Sequence, residues 1–362
     1  MFYLQKRNVR PHDSLNYPLP PMIRKPTPST LVASLLRTVL LTPVLSLLIS
    51  SGHSLATDTS PQAPLSQPAA ATSPEADDAA AKAVASEIAQ WEEKARQNDP
   101  EALNKLGMAY LDGRGVVQDD AKAAQYFRKS AELGSWKGQG NLGIMCIRGR
   151  GVAKDPAEGL KWMRQAADQG VPAAQLNLAA MLDRDPEVPN DLKEAVTWYE
   201  KAAAGGSALA AAELGRIYLS GEEGFPQDYV TAVKWFRQAA DAGDPNAQNS
   251  LGVLLQYGRG VEKNIDEAAE WYERAANQGN ARAQVNMGLL YIFDGGLYRD
   301  NIAAYKWLSL SAEQDWGIAK NILSQFKRGL TPDELAEAQN QIKLYKADRQ
   351  KANLPVAASP QK

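Results

Sequence analysis

The sequence predicts an all-α fold: a right-handed α-solenoid of about six 36-residue helix-turn-helix repeats, with a capping helix at each end. Three observations carry that prediction. The pair Leu106-Gly107 returns as Leu142-Gly143, Leu178-Ala179, Leu214-Gly215, Leu251-Gly252 and Met287-Gly288, in steps of 36, 36, 36, 37 and 36 residues. One helical turn after each Leu or Met stand Tyr110, Cys146, Leu182, Tyr218, Leu255 and Tyr291, on the same helical face. Glycine is confined almost wholly to the body of the chain. One of 27 lies in the first 100 residues, whereas 11 of 21 prolines lie before residue 75. The 362 residues thus divide into a front without repeats and a glycine-punctuated body.

Residues 1–56 read as a secretory leader. Residues 38–50, TVLLTPVLSLLIS, carry no charge; Arg24, Lys25 and Arg37 precede them, and Ser54-Leu55-Ala56 supplies small residues for cleavage. Met22 opens a better-proportioned leader and is an alternative start. The competing reading is an uncleaved inner-membrane anchor through residues 31–50, since about 20 apolar residues can span a bilayer. Residues 57–74 are Pro, Ala, Ser and Thr with almost nothing bulky to bury, which reads as a disordered linker. A capping helix follows over 75–99, with Ser73 as its cap, Pro74 in its first turn and Trp91 as its large apolar anchor.

The repeats occupy residues 100–330. After the first helix of each comes a turn, GRGV at Gly113, Gly149 and Gly258, where glycine supplies φ > 0. A column of Asp119, Asp155, Asp191, Asp228, Asn264 and Asp300 is placed to cap the second helix. Asp155 with Glu158, Asp191 with Glu194 and Asn264 with Glu267 have capping-box spacing. Seven residues after the caps stand Tyr126, Trp162, Trp198, Trp235, Trp271 and Trp307, each followed by a small-residue pair. Trp and Ala-Ala are read as one buried stripe, a large knob beside small residues that let helices approach. Gly107, Gly143, Gly215, Gly252 and Gly288 belong to the same scaffold. No single unit could bury such a stripe, whereas stacked neighbours can. Thr331-Pro332-Asp333-Glu334 then caps a last helix over 331–349, and 350–362 read as a disordered tail.

Composition excludes several chemistries. The chain has 40 basic and 42 acidic residues, one cysteine and two histidines. Both histidines, His12 and His53, fall in the leader, so the processed chain has no Ser-His-Asp or Cys-His catalysis and no His-based metal site. Loss of the leader leaves 34 basic and 41 acidic groups, a net charge of −7, which argues against nucleic acid as a partner. Carboxylate-based glycoside hydrolysis needs two carboxylates facing across a cleft. Asp119-Asp120 and Glu222-Glu223 are merely adjacent in sequence. No catalytic residue, cofactor or metal is assigned.

The repeat unit resembles the Sel1-like repeat family, relatives of tetratricopeptide repeats. The signature is A-x-x-x-LG-x-x-Y-x-x-GRGV-x-x-D followed by KW or EW and AA-x-x-G, over Glu101 to Arg328. Unit three departs from it, replacing the turn glycines with Arg184-Asp185-Pro186-Glu187-Val188-Pro189. Unit four carries one extra residue within Gly221–Pro226, and Asp315 replaces the last unit-end glycine. The resemblance implies an interaction scaffold with a long concave face, and among bacterial members an exported protein. Periplasmic or secreted location is therefore expected.

On the first helices, Asn141, Asn177 and Asn286, with Arg148, Arg184 and Arg216 and then Tyr257 and Phe293, lie opposite the Leu/Tyr stripe. The amides could bond a peptide backbone, and the apolar end could hold an anchor side chain. The alternative for the Asn column is a structural one, bonding the neighbouring helix. Cell-envelope glycan is the rival ligand, through aromatic stacking at residues such as Tyr257. Cys146 occupies the slot of Tyr110 and Tyr218 and reads as a core thiol.

Overall fold

The structure is a computed structural model that describes residues 74–222, 224–293 and 299–351. The leader, nearly all of the linker and the tail from 352 lie outside the described residues. Within them are fifteen α-helices and no β-strand. They run α1 (Pro74–Arg96), α2 (Pro100–Asp112), α3 (Asp120–Glu132), α4 (Trp136–Arg148), α5 (Pro156–Asp168), α6 (Pro172–Arg184), α7 (Leu192–Ala204) and α8 (Ala208–Ser220). Then follow α9 (Tyr229–Asp241), α10 (Pro245–Tyr257), α11 (Ile265–Asn277), α12 (Ala281–Phe293), α13 (Asn301–Ala312), α14 (Gly317–Phe326) and α15 (Pro332–Lys351). The even-numbered helices from α2 to α12 are the first, or A, helices of six repeats, and the odd-numbered ones from α3 to α13 are the B helices. From α1 to α14 each helix packs on its neighbours in sequence, and α15 closes back on α13. This is an all-α solenoid.

The ends of the helices follow from the columns. Asp119, Asp155 and Asp191 each accept the backbone N–H three residues on, at 2.9 Å. Their own N–H groups donate to Tyr110, Cys146 and Leu182 carbonyls on the A helix, at 2.9, 2.8 and 3.0 Å. That second bond changes the expected capping box. With the cap N–H already spent, Glu158, Glu194 and Glu267 do not fold back to it. They accept the indole N–H of Trp162, Trp198 and Trp271 instead, at 3.2–3.3 Å. Among the described residues the box is reciprocal only at α15: Thr331 and Glu334 exchange backbone-to-side-chain bonds of 2.8 and 3.2 Å.

The first turn glycines, Gly113, Gly149 and Gly258, sit at φ 64–70° and cap their A helices. The second glycine of each turn has a further duty. A Cβ on Gly151 would lie 2.1 Å from the Asp120 carbonyl oxygen, and one on Gly260 would lie 2.3 Å from the Tyr229 carbonyl carbon. The turn thus presses on the start of the preceding repeat's B helix, where only glycine fits.

The core corrects the expected knob. Leu106, Leu142, Leu178, Leu214 and Leu251 are wholly buried. Trp198, Trp271 and Trp307 are also buried, but Trp162 and Trp235 are only half-buried. The innermost large side chain is the next residue in every unit: Phe127, Met163, Tyr199, Phe236, Tyr272 and Leu308. Each lies against the small residue of the Leu-Gly pair. A Cβ at Gly107, Gly143, Gly215, Gly252 or Gly288 would fall 2.5–2.7 Å from that knob. The glycines are therefore packing positions, cut to admit the B-helix side chain. The Trp column lies beside them between successive repeats, with Lys201, Arg274 and Lys306 over its rings at 3.7–4.6 Å. At the N-terminal end Val84, Ile88 and Trp91 of α1 cover Leu106 and Ala109, which supplies the apolar partner the first repeat lacks.

Candidate binding surface

The A helices carry the expected site residues, and the structure divides them into two groups. The asparagines form rungs between neighbouring A helices. Asn141 Nδ2 donates to Asn104 Oδ1 and Asn286 Nδ2 to Asn249 Oδ1, both at 2.8 Å. Asn177 is half-buried and borders the same face. A second column, of glutamines that the sequence does not single out, ties the end of a B helix to the A helix of the same repeat. Gln169, Gln278 and Gln314 donate to Gln139, Gln248 and Gln284 at 2.8–2.9 Å. The fourth acceptor, Gln175 Oε1, is buried without a partner, because Gly205 stands where the donor glutamine would be.

The three arginines are each ion-paired within the chain, and Arg148 also borders the cleft between α2, α4 and α6. Arg148 takes both carboxylate oxygens of Asp185 and one of Glu187, the residues that replace the turn glycines of unit three. Arg184 binds Asp183 at 2.9 Å and also Glu213. Arg216 binds Glu213 at 2.8 Å, Asp183 at 3.1 Å and Glu222. Tyr199 completes this cluster by donating to Asp183 at 3.2 Å. Burial pushes the Asp183 carboxyl above its usual range against the pull of Arg184 and Arg216. Glu213 is also penalised by burial, yet the two guanidiniums hold it below the usual range. Reversing Arg148 and Arg216 to Glu would thus strike the fold and not only a groove.

A cleft of about 700 Å³ crosses α2, α4 and α6. Its lining sets Met108, Leu111 and Ile144 beside the amides of Asn104, Asn141 and Asn177, with Trp136 at one end. Gly140 also lines it and has nothing within 4 Å of a Cβ position. Tyr257 and Phe293 lie on α10 and α12, away from this cleft, and are 49% and 38% exposed. Cys146 is buried, and burial pushes its thiol up, away from the reactive thiolate.

Asp119 is spent as a helix cap and Asp120 pairs with Arg150 at 2.8 Å. Among the described residues no group of three or more His, Cys, Asp or Glu could hold a metal ion, and no helix is long and apolar enough to cross a membrane. The segment 31–50 lies outside the described residues.

Helix pairs stacked through glycine-admitted knobs and joined by amide rungs define an all-α helical-repeat scaffold. The particular repeat is shown by comparison. Six copies of the Sel1 repeat match in series, over residues 100–135, 136–171, 172–207, 208–244, 245–280 and 281–316, and the chain belongs to the Sel1 repeat family. Among solved structures it is similar to a Sel1 repeat protein from Oxalobacter formigenes, at 34% identity over 59% of this chain and 88% of that one, TM-score 0.51. It is also similar to a protective antigen of uropathogenic Escherichia coli with an SLR fold, at 28% identity over 76% and 68%, TM-score 0.43. A comparison with curated proteins finds none that matches.

Proposed function

We propose that this chain is an exported protein-interaction scaffold that holds an extended segment of a partner protein on its A-helix face. The observation that carries the reading is the cleft across α2, α4 and α6. Apolar side chains for an anchor residue stand there beside amides that can bond a peptide backbone. The amide hydrogens of Asn104 and Asn177, which donate to no described residue, matter most, because the arginines of this face are already neutralised by Asp183, Asp185 and Glu213. Peptide is favoured over glycan because the amides run across the cleft while Trp136 stands at one end of it and Tyr257 and Phe293 lie outside it. Export rests on the leader in residues 1–56, with anchoring through 31–50 as the alternative. The working chain is then periplasmic or secreted.

Gly140→Glu tests the site. The position opens on the cleft and has free space, so the new side chain fills the cleft without disturbing packing. Partner protein captured from envelope extracts should fall at least tenfold while the thermal melt is unchanged or raised. Unchanged capture would remove the cleft as the binding surface.

A further inference from the structure

Arg282, on the first turn of α12, stands apart from the paired arginines. It is half-buried, and its side chain makes no hydrogen bond, ion pair or ring contact with a described residue. Burial alone acts on it, lowering its pKa, with no neighbouring carboxylate pulling the other way. The reason is legible along its column. The second residue of successive A helices reads Glu101, Lys137, Ala173, Leu209, Asn246 and Arg282. At the N-terminal end the cation has a counter-ion one repeat earlier, Lys137 to Glu101 at 3.1 Å. At the C-terminal end the repeat before Arg282 offers the neutral Asn246.

Arg282 borders a recess of about 40 Å³ between α8, α10 and α12, lined also by Leu209, Phe236, Asn249 and Ser250. By the measure in which one water needs roughly 10–15 Å³, that space holds about three waters, or one carboxylate head group. Asn249 is 2% exposed; its oxygen accepts from Asn286, while its Nδ2 donates to no described residue. The two acids at the recess are otherwise engaged. Glu213 sits between Arg184 and Arg216, and Asp244 accepts the Ala247 N–H at 2.6 Å as the cap of α10. A half-buried guanidinium and the amide N–H₂ of the largely buried Asn249 thus border one small space with donors spent on no described residue, donors that an acceptor entering the recess can take up.

We propose that Arg282 and Asn249 form a carboxylate-binding subsite, which fixes an acidic side chain or a free chain end of the partner. Leu209, 53% exposed at the rim, gives the neighbouring partner residue an apolar seat. Guanidinium and amide donors both match a carboxylate, and charge-assisted bonds of this kind are the stronger ones. The inference deepens the reading of the A-helix face as the binding face, at a place distinct from the α2–α6 cleft.

The test uses the full chain, ¹⁵N-labelled, and three probes. They are acetyl-leucyl-alanyl-alanine with its free carboxylate, the same peptide as its C-terminal amide, and acetyl-leucyl-aspartic acid α-amide, blocked at the backbone but free at the side-chain carboxylate. At least one carboxylate peptide should shift the Arg282 Nε–H and Asn249 Nδ2–H₂ signals, and the uncharged amide should not. The carboxylate peptide that binds tells a chain end from an acidic side chain. R282Q should weaken that binding at least tenfold with an unchanged melt. Equal shifts with the uncharged amide, no shift with either carboxylate, or undiminished binding to R282Q would each overturn the subsite. None of those outcomes touches the α2–α6 cleft, which Gly140→Glu tests separately.

Discussion

Two glycines of the same helix, Gly140 and Gly143 of α4, should respond to alanine in opposite directions. At Gly140 a Cβ meets nothing within 4 Å. Gly140→Ala then gains only the removal of a helix-interior glycine, about 1 kcal/mol. At Gly143 the same Cβ would lie 2.6 Å from Met163 Cγ and 2.8 Å from the Gly159 carbonyl oxygen. Ordinary contacts are near 3.5–4.0 Å, so α4 and α5 must part by roughly 1 Å. Met163 can rotate away, whereas the Gly159 carbonyl is backbone and cannot. Overpacking of this kind costs about 1–3 kcal/mol, which cancels or exceeds the propensity gain. The two variants should differ by about 1–3 kcal/mol in favour of Gly140→Ala. For a domain of this size each kcal/mol moves the melting midpoint by about 2–4 °C. Thermal melts by circular dichroism, backed by guanidinium titration, read the difference directly. If Gly143→Ala melts at or above Gly140→Ala, the glycine column is not cut to admit the B-helix knob.

Tyr272→Ala should cost about 3–5 kcal/mol, because Tyr272 is wholly buried, whereas Trp235→Ala should cost clearly less, since Trp235 is half-buried; chemical unfolding of both checks the order. Arg216→Ala strips Asp183, Glu213 and Glu222 of a shared cation and should destabilise by about 3–5 kcal/mol, where a free surface arginine would give less than 1. Glu194 is held below its ordinary value of 4.5, first by Arg164 at 2.7–2.8 Å. A carboxylate lowered in the folded state stabilises above its unfolded value, and that contribution is lost as pH falls through the folded value. Arg164→Gln should therefore flatten the stability profile in the acid range and lower it at neutral pH by about 1 kcal/mol, as unfolding titrations across pH would show.

Much of the fold was legible because one physical solution is written six times. The Leu-Gly pair, the Asp caps and the turn glycines each recur at the repeat step, so each column has a cause that the sequence alone shows. The knob was misassigned for a definite reason. Trp162-Met163, Trp198-Tyr199, Trp235-Phe236, Trp271-Tyr272 and Trp307-Leu308 are adjacent apolar pairs, and helical periodicity does not choose between neighbours 100° apart. Only the glycine opposite decides, and it sits on another helix. The ion partners of the arginines are hidden for a similar reason, since Asp185, Glu213 and Glu222 stand across turns and repeats from them. A signal for such pairs was present: Arg128–Glu158, Arg164–Glu194 and Arg237–Glu267 share one 30-residue separation. The unpaired state of Arg282 became visible only once every other arginine of the face had found its carboxylate.

The central claim is that the A-helix face holds a partner protein. A photo-crosslinking amino acid placed at Ile144, inside the cleft, and separately at Lys193, exposed on α7, tests it in the producing cell. Irradiation should give a discrete partner adduct from position 144 that Gly140→Glu abolishes, and none from 193. Adducts of equal yield from both positions, or none from 144, would contradict the claim.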